Sequence, residues 1–146
     1  MSLNFNDDLK EGKKAEREFA SRLVKWGAIK VELSEWDVPW WDIKATFLWQ
    51  GQTYEKSFEV KKDRYAENSE QVCVEYCYKW EPSWIYTSNA DYIVYNIGDK
   101  FYYADRLRFI IDVSKAQKVD LVWGDGNNSN IWLVDREYFN SITNEL

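Results

Sequence analysis

The chemistry-bearing spacing of this chain is Pro39-Trp40-Trp41-Asp42, sixteen residues, and then Glu59-Val60-Lys61. In a strand, residues i and i+2 point the same way, so Glu59 and Lys61 project side by side. An Asp at the end of a neighbouring strand adds a second carboxylate. Two carboxylates with waters form a ligand set that Mg²⁺ accepts, leaving room for a phosphate oxygen. Such an ion lowers the pKa of a bound water and offsets charge on a phosphate. The lysine ammonium positions that water or stabilises the developing oxyanion. A Glu-x-Lys pair alone occurs on many solvated strands, so its weight depends on company.

Elimination narrows the chemistry further. The chain has no histidine. Ser-His-Asp and Cys-His nucleophile systems are therefore excluded, as are His-liganded zinc hydrolases. Cys73 and Cys77 lie in an expected strand, where four residues of rise separate their Cα atoms by about 13 Å, too far for a disulfide. Asp125-Gly126-Asn127-Asn128-Ser129-Asn130 opens like a calcium loop, but Asn130 replaces the turn glycine and Arg136 stands where the bidentate Glu belongs. No Gly-x-x-x-x-Gly-Lys cradle for a nucleotide phosphate is present.

The elements that must position these groups follow from periodicity. Gly12 to Trp26 predicts a helix, with Ala15, Phe19, Ala20, Leu23, Val24 and Trp26 on one broad face and Gly27 as its stop. Glu16 projects between Phe19 and Ala20, into that apolar face. A carboxylate aimed inward must be paired, protonated or bound to a cation. A short strand at 29–32 precedes a hairpin, with arms at 42–49 and 53–61 around Gln50-Gly51-Gln52. A two-residue loop at Gly51-Gln52 sets Asp42 opposite Lys61 and Lys44 opposite Glu59. Asp42, Glu59 and Lys61 then share one face, with Phe58 and Val60 on the other. Further strands are expected at 71–78, 92–96, 100–103, 119–123 and 131–134. Asp105 and Asp135 read as caps of helices over 106–113 and 136–142. Helices mixed with a strand-rich centre make this a mixed α/β chain, and 146 residues suit a single domain.

In this order — Glu16 on the first helix, Asp42, then Glu59-x-Lys61 — the sequence resembles the PD-(D/E)XK nuclease superfamily. The resemblance covers about residues 12 to 95. Its later part, Gln71 to Glu75, then Pro82-Ser83-Trp84-Ile85-Tyr86-Thr87 and Ala90-Asp91-Tyr92, is similar to phage-type and junction-resolvase-type branches. Those branches often carry Gly-Asn before the strand and Ser-Gly before the Thr, where this chain has Glu70-Gln71 and Ser83-Trp84. The resemblance implies a restriction-endonuclease-like core, a central mixed β-sheet flanked by helices. It implies a DNA endonuclease with Glu16, Asp42, Glu59 and Lys61 as catalytic residues. Asp42 and Glu59 would hold Mg²⁺, for which Mn²⁺ substitutes. Gln71 and Glu75 are possible additional contributors, with a solvent-facing strand as the competing reading of Glu75. A homodimer would let such a small enzyme cut two strands.

Composition is compatible with that expectation and sets its limits. Net charge is −6, which argues against coating nucleic acid by bulk electrostatics. Lys10, Lys13, Lys14 and Arg17 at the first helix, and Lys62 and Arg64 after the Glu-x-Lys strand, are local candidates for phosphate contacts. A solvated helix face explains the first group equally well. No apolar run reaches the roughly 20 residues that span a bilayer, and the N-terminus lacks a signal-peptide pattern. A cytoplasmic, non-membrane protein is the expectation. Aromatic residues reach 18%, nine of them Trp. Most must fill the core, while one or two could stack on unpaired bases. The alternative from another class is a non-catalytic module whose surface aromatics bind carbohydrate, protein or DNA.

Overall fold

The computed structural model describes residues 5–34, 41–63, 65–122 and 128–146. The chain runs α1 (Phe5–Lys25), β1 (Lys30–Leu33), β2 (Ile43–Trp49), β3 (Gln52–Lys62), β4 (Gln71–Tyr78), β5 (Glu81–Pro82) and α2 (Trp84–Thr87). It continues through β6 (Tyr92–Ile97), β7 (Lys100–Asp105), α3 (Arg106–Val113), β8 (Gln117–Val122), β9 (Asn128–Asp135), α4 (Arg136–Ile142) and β10 (Asn144–Glu145). The architecture is mixed α/β with two sheets. One has the order β1-β2-β3-β6-β7-β10, the other β5-β4-β9-β8. Among the described residues no helix is long and apolar enough to cross a membrane.

Alternation along the strands explains the layering. In β6, Val94 turns to one core, while Ile93, Tyr95 and Ile97 turn to the other. On the first side lie Ala15, Phe19 and Leu23 of α1, spaced four apart on one helical face, against Ile43, Ala45, Phe58 and Val60. On the second side the six-stranded sheet meets Val72, Val74 and Val134 of the smaller sheet, with Phe109 of α3 and Phe139 of α4. The large sheet is thus the middle layer.

The helical face of α1 is narrower than its periodicity predicts. Val24 and Trp26 are 58% and 57% exposed, although the Trp26 ring still meets Phe47 of β2 at 6.3 Å and Tyr103 of β7 at 5.8 Å. Gly27 does close the helix, at φ 113°. Asp105 caps α3 as expected, its Oδ1 accepting from the Arg108 N–H at 3.0 Å. Asp135 precedes α4 without a side-chain cap bond. The expected strand at 119–123 begins earlier, at Gln117, and its Trp123 lies outside the described residues, as do residues 124–127 of the calcium-like loop.

The hairpin register is corrected by the turn. Gln50 and Gly51, not Gly51 and Gln52, are the central pair, with φ of 49° and 78°. Two positive φ values suit a hairpin turn that matches strand twist. Trp49 then pairs with Gln52, Lys44 with Ser57 and Ile43 with Phe58. Relative to the expected register the strands move by two residues. An even shift preserves the side on which each residue points, so Glu59 and Lys61 still share a face opposite Phe58 and Val60.

Candidate active site

The site forms where the β2–β3 ladder stops. The Asp42 N–H donates to the Phe58 carbonyl at 2.9 Å, one step off the Ile43–Phe58 pairing. The strand therefore leaves the regular ladder at Asp42. The Val60 N–H donates to Asp42 Oδ2 at 2.8 Å, so this side chain takes a bond that a regular ladder gives to a carbonyl. Backbone geometry thus fixes the carboxylate beside the Glu59-Val60-Lys61 segment. On the far side of β3, a reciprocal clamp secures the parallel neighbour. Asp91 Oδ2 accepts from the Ser57 N–H and hydroxyl at 2.9 and 3.1 Å, and the Asp91 N–H donates to Ser57 Oγ at 3.0 Å.

Glu59 is buried, and its Oε1 lies 3.3 Å from Lys61 Nζ. Ser88, also buried, donates its hydroxyl to Glu59 Oε2 at 3.4 Å. Burial pushes the Glu59 carboxyl up to about 7, with Lys61 opposing and the Asp42 charge adding to the rise. Lys61 lies with its ammonium 4.8 Å from the centre of the Trp84 ring, within cation–π range. Trp84 and Ser88, from the α2 segment, therefore cover the Glu59–Lys61 pair.

Glu16 reaches the same end of the sheet from α1. It is buried, as its place on the helical face requires, and its Oε2 lies 3.4 Å from Lys13 Nζ. Burial raises its pKa, the Asp42 charge raises it further, and Lys13 and Lys61 lower it. Asp42 is thus felt by both glutamates. Those four expected positions, Glu16, Asp42, Glu59 and Lys61, form one electrostatic cluster.

Asp42 and Glu59 offer the hard carboxylate oxygens that Mg²⁺ takes, and a buried carboxyl pushed up to about 7 is one that a cation would stabilise in its charged form. Among the described residues no group of three or more Asp, Glu, Cys or His converges as a ready-made metal cage. A two-carboxylate site completed by water and phosphate does not require one.

Of the other candidates, Lys13 joins the cluster through Glu16, and the rest that are described lie on other elements or have other partners. Glu75 Oε1 and Oε2 accept from the Ser83 and Ser129 hydroxyls, at 2.5 and 3.0 Å. Through Ser83 it supports the residue next to Trp84. Gln71 opens β4, its backbone bonded to the Ser69 hydroxyl. Lys13 is paired with Glu16 and Lys14 with Glu18 at 4.0 Å, while Arg17 is exposed. Lys62 bonds Asn96 Oδ1 at 2.9 Å and lies 3.7 Å from Glu67. Arg64 lies outside the described residues. Sequence reasoning missed Ser88, Asp91 and the Trp84 cover, since nothing local marks a contact made across more than twenty residues. Protein-family models, curated proteins and solved structures were all compared with the chain, and none matches it significantly.

Proposed function

We propose that this protein is a metal-dependent nuclease of the PD-(D/E)XK type, hydrolysing phosphodiester bonds in DNA. One observation carries the reading: Asp42, Glu59 and Lys61 lie together at a ladder break, with Glu16 electrostatically coupled to Asp42 from the opposing helix. The order of elements supports it as well, with a helix bearing Glu16, a hairpin bearing Asp42 and Glu59-x-Lys61, and a parallel return strand.

Asp42 and Glu59 would hold Mg²⁺, which supplies a polarised water and charge to offset the phosphate. The roles of the chain's own groups follow from their positions. Lys61, already 3.3 Å from Glu59, orients the attacking water and stabilises negative charge on phosphorus oxygens. Glu16 orients a water or phosphate oxygen from the α1 side. The Val60 N–H holds Asp42 in place. In the reaction the water oxygen forms a new bond to phosphorus, one P–O ester bond breaks, and the departing oxygen receives a proton.

Linear, nicked and branched DNA should be incubated with the protein in Mg²⁺, Mn²⁺ or EDTA. Cleavage is expected with either ion and not in EDTA, and Lys61→Ala should lower it by about a hundredfold or more, the scale of losing a transition-state charge partner. No metal-dependent cleavage of any substrate by the wild type would sink the reading.

A further inference from the structure

The β4–β5 hairpin ends in a turn that ordinary residues avoid. Lys79 and Trp80 are its central pair, with φ of 50° and 69°, a left-handed conformation that glycine would adopt without penalty. The result is that Trp80 stands 80% exposed at the tip. Beside it, Tyr78 is 36% exposed with Lys79 Nζ 5.4 Å from its ring centre. Two residues back, Tyr76 carries Lys118 Nζ at 6.0 Å from its ring. Tyr76 stacks on buried Trp132 at 4.5 Å, and half-exposed Tyr86 meets the same indole edge-on at 6.1 Å. Trp132 lies beneath with its indole N–H lacking a hydrogen-bond partner among the described residues.

Aromatic faces interleaved with lysines form the surface that unpaired nucleic acid requires, since every base has a face to stack and every linkage a charge to meet. Among the described residues, the acids beside it include Glu81, exposed at the hairpin, and Asp120, which accepts from Asn130 Nδ2. The shelf is continuous with the cluster at Asp42. Tyr76 O accepts from the Ser83 N–H at 3.0 Å, and Ser83 directly precedes Trp84, whose ring lies against Lys61. At full extension the four residues from Trp80 to Trp84 span at most about 14 Å.

We infer that Tyr76, Tyr78, Trp80 and Tyr86, with Lys79 and Lys118, form a docking surface for an unpaired DNA strand leading to the Lys61 site. This rests on the nuclease reading and names its substrate: DNA with unpaired nucleotides beside the scissile phosphate. A neutral carbohydrate also stacks on aromatic faces but leaves the two lysines without a role.

The test is fluorescence anisotropy in EDTA, where nothing is cut. The probes are short oligo(dT), an abasic oligomer of equal phosphate count, a duplex of equal length and a neutral glucan oligosaccharide. Oligo(dT) is expected to bind at least about tenfold tighter than the abasic oligomer, the scale of one base–aromatic stack. Trp80→Ala should remove that advantage without weakening abasic binding. Lys118→Ala should reduce the salt slope by about 0.7. Equal affinity for oligo(dT) and abasic strand, unchanged binding by Trp80→Ala, or glucan binding at least as tight would each overturn the surface. The two failures are distinguishable. Cleavage without Trp80-dependent binding sinks the surface alone, and Trp80-dependent binding without cleavage sinks the nuclease reading while supporting the surface.

Discussion

Glu59 is held between opposing influences. Burial and the Asp42 charge disfavour its ionised form, Lys61 and Ser88 favour it, and burial prevails, lifting the pKa to about 7. A carboxyl whose folded-state pKa lies above its unfolded value binds its proton more tightly when folded. Its contribution to stability is therefore complete below the ordinary value of 4.5 and is lost as pH rises to about 7. Glu59→Gln keeps the shape and removes that loss. In urea titrations the variant is expected to match or trail the wild type near pH 4 and to exceed it near pH 8 by roughly 1–3 kcal/mol, at 1.36 kcal/mol per pKa unit. A stability difference that does not vary with pH would refute this account. Glu16 was legible from helical projection, because the 3.6-residue period places it among Ala15, Phe19 and Leu23. Trp84 and Ser88 were not, because their partners sit on a strand more than twenty residues earlier.

Among elements, β3 is the one that everything else aligns. The Asp91–Ser57 clamp ties it to β6 two residues before Glu59, with a carboxylate accepting both the N–H and the hydroxyl of Ser57. Asp91→Ala leaves that backbone N–H without its acceptor, so a loss of about 2–3 kcal/mol is expected, the scale of removing a charged hydrogen-bond partner. Equilibrium denaturation measures it, and a change under 0.5 kcal/mol, the range of an ordinary surface substitution, would show that the clamp is dispensable. The hairpin itself was legible, but its register was not. Glycine can occupy either central position of a two-residue turn, and the sequence Gln50-Gly51-Gln52 admits both. The face of each side chain survived the error because the alternatives differ by an even number of residues.

Across the whole molecule, the mixed α/β class was readable from the alternation of periods, and β4, α3 and α4 lie close to where composition and caps put them. The second sheet was not readable. Its β4–β9 pairing joins Gln71 to Asp135 and Val74 to Trp132, and no local signal specifies a partner so distant in sequence. The division of the apolar residues between two cores was equally hidden, since it depends on which side α1 covers.

The parallel pairing of β3 with β6 has a consequence in time. Between these neighbours the chain departs, builds β4, β5 and α2, and returns, bringing Trp84 and Ser88 over Glu59 and Lys61. The β2–β3 hairpin closes over a short loop and can assemble while that excursion is still open to water. If the excursion closes after the main barrier, Glu59 keeps its hydration until then. Raising the pH from 5 to 8 should accordingly accelerate unfolding and leave the refolding rate nearly constant, as for any penalty confined to the finished state. Stopped-flow chevrons at the two pH values provide the check, and a pH-sensitive refolding arm would mean that the lid closes early. A refolding arm that is flat with pH would instead make the drying of Glu59 the last act of folding.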